Sequence, residues 1–494
     1  MSGAGAFRTF IASHSENLLQ PLQQVARRSG AELYFVGGTV RDYLLGRPSH
    51  DLDITVSGRA IRCATLLVEE MGGGTIVDLS GPQDESYRVV WNTQQIDFSA
   101  FRTGARTIEE DLGLRDFTIN AMALHLDVLQ GESDAELLLD PVGGLADLQG
   151  ERIQHCPGAF AADPVRMLRG YRLAATLDFT ITEDTVEAIR NHGPLIKCVA
   201  AERLHHELSL IFASSHTART VKAMDEAGLL VYLLPELYRG EGVLQPHFHH
   251  LDVMGHCFFA LEMMERVLDD PEQFFPGSGS VMREYIAQQG VTQSLKWAAL
   301  LHDIGKPATR EVRNDRDGRV TFYRHDEVGR DLFKKFADRL KWSKVENNRT
   351  AGLIGMHMHP FHLCNLQREE EITARAALKL CRRAGGDLPG LFLLAMSDSL
   401  ASKGAQKPER MEEELNNLFD TVQRIYEDNI EPVLHGPRLL SGKDLIEEFA
   451  LEPGPLFAEI LSGLEIAQVE GRVADRQSAC NWVKEFLRER SRRL

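Results

Sequence analysis

The sequence predicts an α+β fold: a small N-terminal α/β head, then a chain that is almost wholly α-helical. Short β-branched and aromatic runs alternate with helix-period segments over residues 1–150. From residue 151 onward strand signals nearly vanish, and apolar residues recur at helical spacing to the C-terminus. At 494 residues, and roughly 150 per domain, the chain has room for several packed cores.

The head begins with the strand-like run ELYFV, followed at once by Gly37 and Gly38 and a short helix carrying Arg41 and Asp42. DLDITV follows as a second strand, then a helix from Arg59 to Met71, then the strand runs GTIVDL, YRVVW and QQIDFSAF. Side chains alternate faces along a strand, so Asp51 and Asp53 point the same way, about 7 Å apart. Two carboxylates so placed can hold divalent metal, and Asp97 on the last strand can supply a third. Gly37 and Gly38 allow the backbone to approach a phosphate that a Cβ would obstruct. Paired glycines also occur in plain turns, and Asp-x-Asp on solvated loops; the order of strand, Gly-Gly, basic helix and acidic strand is far more specific.

With that order on the page, the chain resembles the class II tRNA nucleotidyltransferases and bacterial poly(A) polymerases. DLGLRDFTINAMAL is similar to the family's second motif, so Arg115, Asp116 and Asn120 are expected to bind ribose and triphosphate; Leu114 departs from the family's usual arginine. LLLDPVGGLADLQG resembles the third motif through Asp140, Gly144 and Asp147. In FAADPVRMLRGYRLAA, Asp163 sits where an N-cap belongs and Pro164 suits a first turn, while Arg166, Arg169 and Arg172 share a helix face. The resemblance implies that Asp163 and Arg166 read the Watson–Crick edge of the incoming base and that Arg41, Arg169 and Arg172 also bind the nucleotide; Ala162 replaces the family's glutamate. AERLHHEL, with Glu202, Arg203 and Glu207, matches a fifth motif that props this helix. The segment TGARTIEED is short where the family carries a flexible loop, which leans toward C-C addition; surface loops also vary in length for no functional reason.

A second metal signature lies downstream. LKWAALLHDIGKP resembles the His-Asp pair of HD-domain phosphohydrolases, with Gly305 and Pro307 ending the apolar helix. The resemblance implies His256, His302, Asp303, His325, His357 and Asp398 as ligands of a divalent ion such as Ni²⁺, Mn²⁺ or Mg²⁺. His247, His249 and His250 are read as structural or peripheral and not as ligands. VRNDRDGRVTFYRHD reads as a hairpin around Asp317–Gly318. The last 60 residues, with Gly442, Asp444, Leu445, Pro453, Gly454, Pro455 and Gly471, resemble the family's tRNA-gripping tail.

The expected domains are therefore a nucleotidyltransferase head at 1–150, a helical neck at 151–240, an HD domain at 241–405 and an RNA-binding tail at 406–494. The family implies Mg²⁺ in the head, CTP and ATP as substrates and the tRNA 3′ end as acceptor. A net charge of −17 is not what an RNA partner suggests, but basic clusters such as Lys334, Lys335, Arg339, Lys341 and Lys344 supply local positive surface. Seven scattered cysteines without a CxxC pair, no apolar run of membrane-spanning length and no leader-like N-terminus point to a cytoplasmic protein. Two alternatives stay open: a poly(A) polymerase, and an HD phosphohydrolase whose head has become an RNA-binding module. The oligomeric state is also open.

Overall fold

The computed structural model describes residues 5–14, 16–49, 51–81, 85–130, 134–246, 248–313 and 319–493. They form two compact units, Met1–His216 with Thr220–Leu233, and Thr217–Arg219 with Leu234–Leu494.

The first unit is built on a seven-stranded sheet in the order β3-β4-β5-β2-β1-β6-β7. Its strands are β1 (Leu33–Val36), β2 (Asp51–Val56), β3 (Thr75–Asp78), β4 (Ser86–Trp91), β5 (Gln94–Ala100), β6 (Ala123–His125) and β7 (Leu138–Leu139). All five strand runs read from the sequence of the head are strands here. Within this sheet only β2 and β5 run parallel among the described residues, placing Asp53 directly beside Asp97 and Asp51 beside Gln95. On the opposite face of the same two strands Leu52, Ile54, Ile96 and Phe98 are fully buried, so apolar packing fixes which way the carboxylates face.

The helices α1 (Ala6–His14) and α2 (Leu19–Ser29), which precede the sheet, were not anticipated from the sequence. Phe7 of α1 packs its ring 5.0 Å from Phe35 and 4.8 Å from Tyr43, and its N–H donates to the buried Asp134 at 3.1 Å. After β1 come α3 (Gly37–Leu44), α4 (Ala60–Glu70) and α5 (Ile108–Gly113). The unit continues into the helices Arg166–Leu177 and Ala201–Ala213, which pack on each other.

The second unit is helical apart from one hairpin, Glu311–Arg313 against Arg319–Thr321. The expected Asp317–Gly318 turn lies outside the described residues, as does His247. Val291–Leu301 and Leu388–Ala401 are buried on nearly all sides and form the centre. Around them lie Val253–Asp269, His325–Arg339 and Lys344–Met356. The C-terminal helices Gly442–Phe449, Pro455–Val469 and Arg476–Arg493 enclose a core of Leu445, Ile460, Leu464 and Val483. No described helix is long and apolar enough to cross a membrane.

Candidate active sites

In the head, β1 ends at Val36 in extended backbone and the chain turns into α3 through Gly37 at φ +64°. A Cβ at Gly37 would stand 3.1 Å from Asp53 Oδ2 and 3.3 Å from an Arg115 nitrogen. Glycine here serves both the left-handed backbone and the close approach. Thr39 stitches the helix start to the acidic strand, because its hydroxyl accepts the Asp53 N–H at 2.8 Å. The Gly38 N–H also donates to the Asp53 carboxylate.

Asp51, Asp53 and Asp97 therefore share one face of the sheet, as the alternation demands. Desolvation raises the Asp53 carboxyl to about 6, with Asp97 and Asp51 adding to the rise and Arg115 opposing it. Three carboxylates converging on one sheet face suit hard divalent cations such as Mg²⁺.

Arg115 is buried beside this cluster and donates to Thr55 Oγ1 at 2.9 Å and to Asp111 at 3.1 Å. Burial, with Arg102 nearby, lowers its guanidinium to about 10. A chain of polar contacts then runs outward. Arg41 donates to Asn120 at 2.9 Å, Asn120 to Asp116 at 3.3 Å, and Arg169 to Asp116 at 3.0 Å. Asp116 is buried, but Arg169 and Arg166 outweigh that cost and hold its carboxyl well below the usual range. Glu207, buried on Ala201–Ala213, accepts from Arg169 at 3.4 Å and from Arg172 at 2.7 Å.

The arginine stripe thus divides into two roles that the sequence did not separate. Arg169 and Arg172 are braced against Glu207, whereas Arg166 reaches the Leu114 and Arg115 carbonyls at 3.2 and 3.5 Å. Asp163 is not the N-cap expected of it. The helix starts at Arg166, because Pro164 and Val165 first make a turn; Asp163 accepts the Val165 N–H at 3.4 Å and pairs with Arg203 at 2.6 Å. The third motif is a folding element: Asp140 accepts the Gly144 and Leu145 N–H groups at 2.6 and 2.9 Å, capping a short helix. Gly144 lets that helix touch the Thr118 carbonyl, which a Cβ would overlap at 2.1 Å.

In the second unit, four histidines and two aspartates from distant parts of the chain meet in the interior. His302 and Asp303 follow the Val291–Leu301 helix; His256, His325 and Asp398 lie on three other helices, and His357 ends a fourth. His256 Nε2 lies 3.3 Å from His302 Nε2 and 3.0 Å from Asp398; His325 Nε2 lies 3.1 Å from His357 Nε2. His302, His325 and His357 each place Nδ1 at 2.7–2.9 Å from a carbonyl three residues back, those of Ala299, Phe322 and Ile354. That bond fixes the tautomer and aims each Nε2 lone pair inward, the arrangement that orients metal-ligating imidazoles.

The donor sets His256/His302/Asp398 and His302/Asp303/His357 are each compact enough to hold a metal ion. Burial disfavours a charged His302, but Asp303 and Asp398 overcome it and raise its imidazole to about 8. His357 is lowered to about 3 by burial and the neighbouring His325 and His302. The Lys306 ammonium stands 2.6 Å from Asp303 Oδ2. Such a site fits a divalent cation. Above it opens a cavity of about 770 Å³ whose walls include Phe248, Phe322, Tyr323, Phe361, Lys306 and Arg368.

Sequence reading gave no functional role to two residues at these sites. His249, read as peripheral, lines the cavity with its ring 4.5 Å from that of His256. Lys306, read in HDIGKP as part of the metal signature, is shown here to pair with Asp303. Arg88, on β4, grips Asp97; it carried no local signal, since only strand pairing brings the two together.

Comparisons with known proteins bear on both sites. Residues 33–154 match the family described as Poly A polymerase head domain, residues 178–239 the Probable RNA and SrmB-binding site of polymerase A, and residues 255–381 the HD domain. The fold and the matched segments define a nucleotidyltransferase head joined to an HD domain. The chain is 32% identical over 463 residues to the A-adding tRNA nucleotidyltransferase of Deinococcus radiodurans, covering 92% of this chain and 95% of that protein. It is 30% identical over 453 residues to the CC-adding tRNA nucleotidyltransferase of Thermus thermophilus, covering 90% and 91%. A CCA-adding enzyme solved in complex with CTP shares the fold at a TM-score of 0.63 and 20% identity, covering 95% of each chain. The Thermotoga maritima CCA-adding enzyme, solved with tRNA, does so at 0.61 and 21%, again covering 95% of each. The chain belongs to the tRNA nucleotidyltransferase family.

Proposed function

We propose that the head transfers CMP, in a C-C-adding reaction that a CCA-adding enzyme would complete with AMP, from the nucleoside triphosphate to the 3′ end of tRNA. Asp51 and Asp53 hold Mg²⁺, with Asp97 as the third carboxylate. The bound metal would supply Lewis-acid activation of the 3′-hydroxyl and neutralise the departing pyrophosphate. Arg115 and Asp116 orient phosphates and ribose, and Gly37 and Gly38 let the backbone approach phosphate where a Cβ would obstruct it. Arg41 and Asn120 hold Asp116, while Arg169 and Arg172 hold the base-reading helix against Glu207. Asp163 and Arg166 face the base: a carboxylate accepts from an exocyclic amino group and a guanidinium donates to a ring nitrogen or carbonyl.

The observation that carries this reading is the half-buried Asp53 flanked by Asp51, Asp97 and Arg115 at the glycine turn. The short segment between β5 and α5 favours C-C addition, and the relatives above include both A-adding and CC-adding enzymes. Incubation with tRNA lacking its 3′ end, Mg²⁺ and each labelled triphosphate singly tests it. Incorporation of C that stops after two residues supports the reading; ATP-only tailing, or no transfer, rejects it. Asp53→Ala abolishes transfer.

A second activity is supported by the six convergent ligands of the other unit. They hold Ni²⁺, Mn²⁺ or Mg²⁺ and hydrolyse a phosphomonoester or cyclic phosphodiester seated in the adjoining cavity. Asp303→Asn removes that hydrolysis and leaves CMP transfer intact. The seven cysteines, all unpaired, accord with work in the cytoplasm.

A further inference from the structure

Arg88 stands directly opposite Asp97 in the antiparallel register of β4 and β5. Its Nε and Nη2 donate to the two Asp97 oxygens, both at 2.8 Å, in the two-pronged geometry that only a guanidinium offers. Nη1 is tied to Gln95 Oε1 at 2.5 Å, and Nη2 extends to Asp51 Oδ2 at 3.5 Å. The guanidinium therefore bridges the first and third carboxylates of the acidic cluster. Arg115, by contrast, serves Asp53 from the glycine side.

The position matters because Asp51 and Asp97 are only partly buried, with side chains 42% and 20% exposed. Three carboxylates on one sheet face repel one another, and without a cation the outer two would swing toward water. A fixed guanidinium keeps them converged. Its positive charge, 3.5 Å from Asp51 Oδ2, also opposes a divalent ion approaching the same carboxylates.

We propose that Arg88 is a positioning residue that holds Asp97 on the catalytic face and competes with the head's divalent metal for Asp51. Its charge sets how tightly the nucleotide-free head binds metal, and its two-pronged grip sets how well Asp97 is oriented. This rests on the transferase reading above.

The test uses the full chain without nucleotide, with free Mn²⁺ followed by electron paramagnetic resonance. Asp53→Asn identifies which part of the binding belongs to the head. Arg88→Gln removes the charge, and the head component should then bind Mn²⁺ about tenfold more tightly, as expected for deleting a unit charge a few ångströms away. Its kcat for CMP incorporation should fall while KM for CTP stays nearly constant. Arg88→Lys keeps the charge and loses the grip, so Mn²⁺ affinity should stay within about twofold of wild type while kcat falls. A folded Arg88→Gln whose Mn²⁺ affinity is unchanged or weaker overturns the proposal. Should that variant fail to fold, Arg88→Lys decides, and wild-type kcat in it is the overturning result. If Asp53→Asn still transfers CMP, the transferase reading has failed; if it is inactive and Arg88→Gln binds Mn²⁺ as wild type does, only the Arg88 proposal has.

Discussion

Replacing Gly37 by alanine should damage the head twice over, and the two effects can be separated. The residue sits at φ +64°, where a Cβ-bearing residue costs about 1 kcal/mol. The new methyl would also stand 3.1 Å from Asp53 Oδ2 and 3.3 Å from the Arg115 guanidinium, so both must retreat by a few tenths of an ångström. Both are side-chain ends that can give way, which limits the total destabilisation to about 2 kcal/mol. In a unit of this size that lowers the melting temperature by about 4–8 °C. Moving two reacting-site groups should lower kcat/KM for CMP incorporation by about 10- to 100-fold.

Gly38→Ala is the control. Its Cβ would lie 3.5 Å from both Arg41 Nη2 and Asp53 Oδ2, an ordinary contact, and its φ needs no glycine. Its stability should stay within about 0.5 kcal/mol of wild type, so any loss of activity reports on phosphate approach. Scanning calorimetry and single-nucleotide incorporation with labelled CTP measure both quantities. Equal destabilisation by the two substitutions, or a Gly37→Ala enzyme of wild-type activity, would refute this account of the turn.

Glu207→Gln leaves Arg169 and Arg172 without their shared buried carboxylate. Because both arginines keep some exposure, the cost should be about 2 kcal/mol in urea unfolding, with weakened discrimination between CTP and UTP. The metal-free head should also respond to pH through Asp53. Its folded carboxyl titrates at about 6, above the ordinary value, so the native state binds the extra proton between about pH 4 and 6. This contribution is present at low pH and is lost as pH rises through 6, by up to about 3 kcal/mol. Asp53→Asn should flatten that part of the stability curve, and head-bound Mn²⁺ should dissociate as pH falls below 6. In the second unit, Mn²⁺ or Ni²⁺ at a hundred times its dissociation constant should stabilise the fold by about 2.7 kcal/mol, reversibly with EDTA. Asp303→Asn should remove that shift in a thermal melt, and its persistence would place the metal elsewhere.

What the sequence determined by itself is local chemistry in a fixed order. Alternation along one strand was enough to put Asp51 and Asp53 on a common face, because the period of two is set by the backbone alone. The glycine pair, the His302–Asp303 pair and the strand-to-helix transition were legible for the same reason, since each depends on near neighbours. His256 and Asp398, 142 residues apart, were placed together only through resemblance to a family; their 3.0 Å contact is a tertiary fact.

Tertiary structure alone decided how identical side chains divide their work. Nothing in the spacing of Arg166, Arg169 and Arg172 tells which of them meets Glu207, since that depends on how a second helix docks 35 or more residues later. Arg88 reads as an ordinary strand residue until β4 pairs with β5 and sets it across from Asp97. His249 likewise joined the cavity only when its loop was folded against the buried helices. Side-chain type and period are properties of neighbours along the chain, whereas burial, pairing and competition for one carboxylate depend on segments the backbone brings together from far apart.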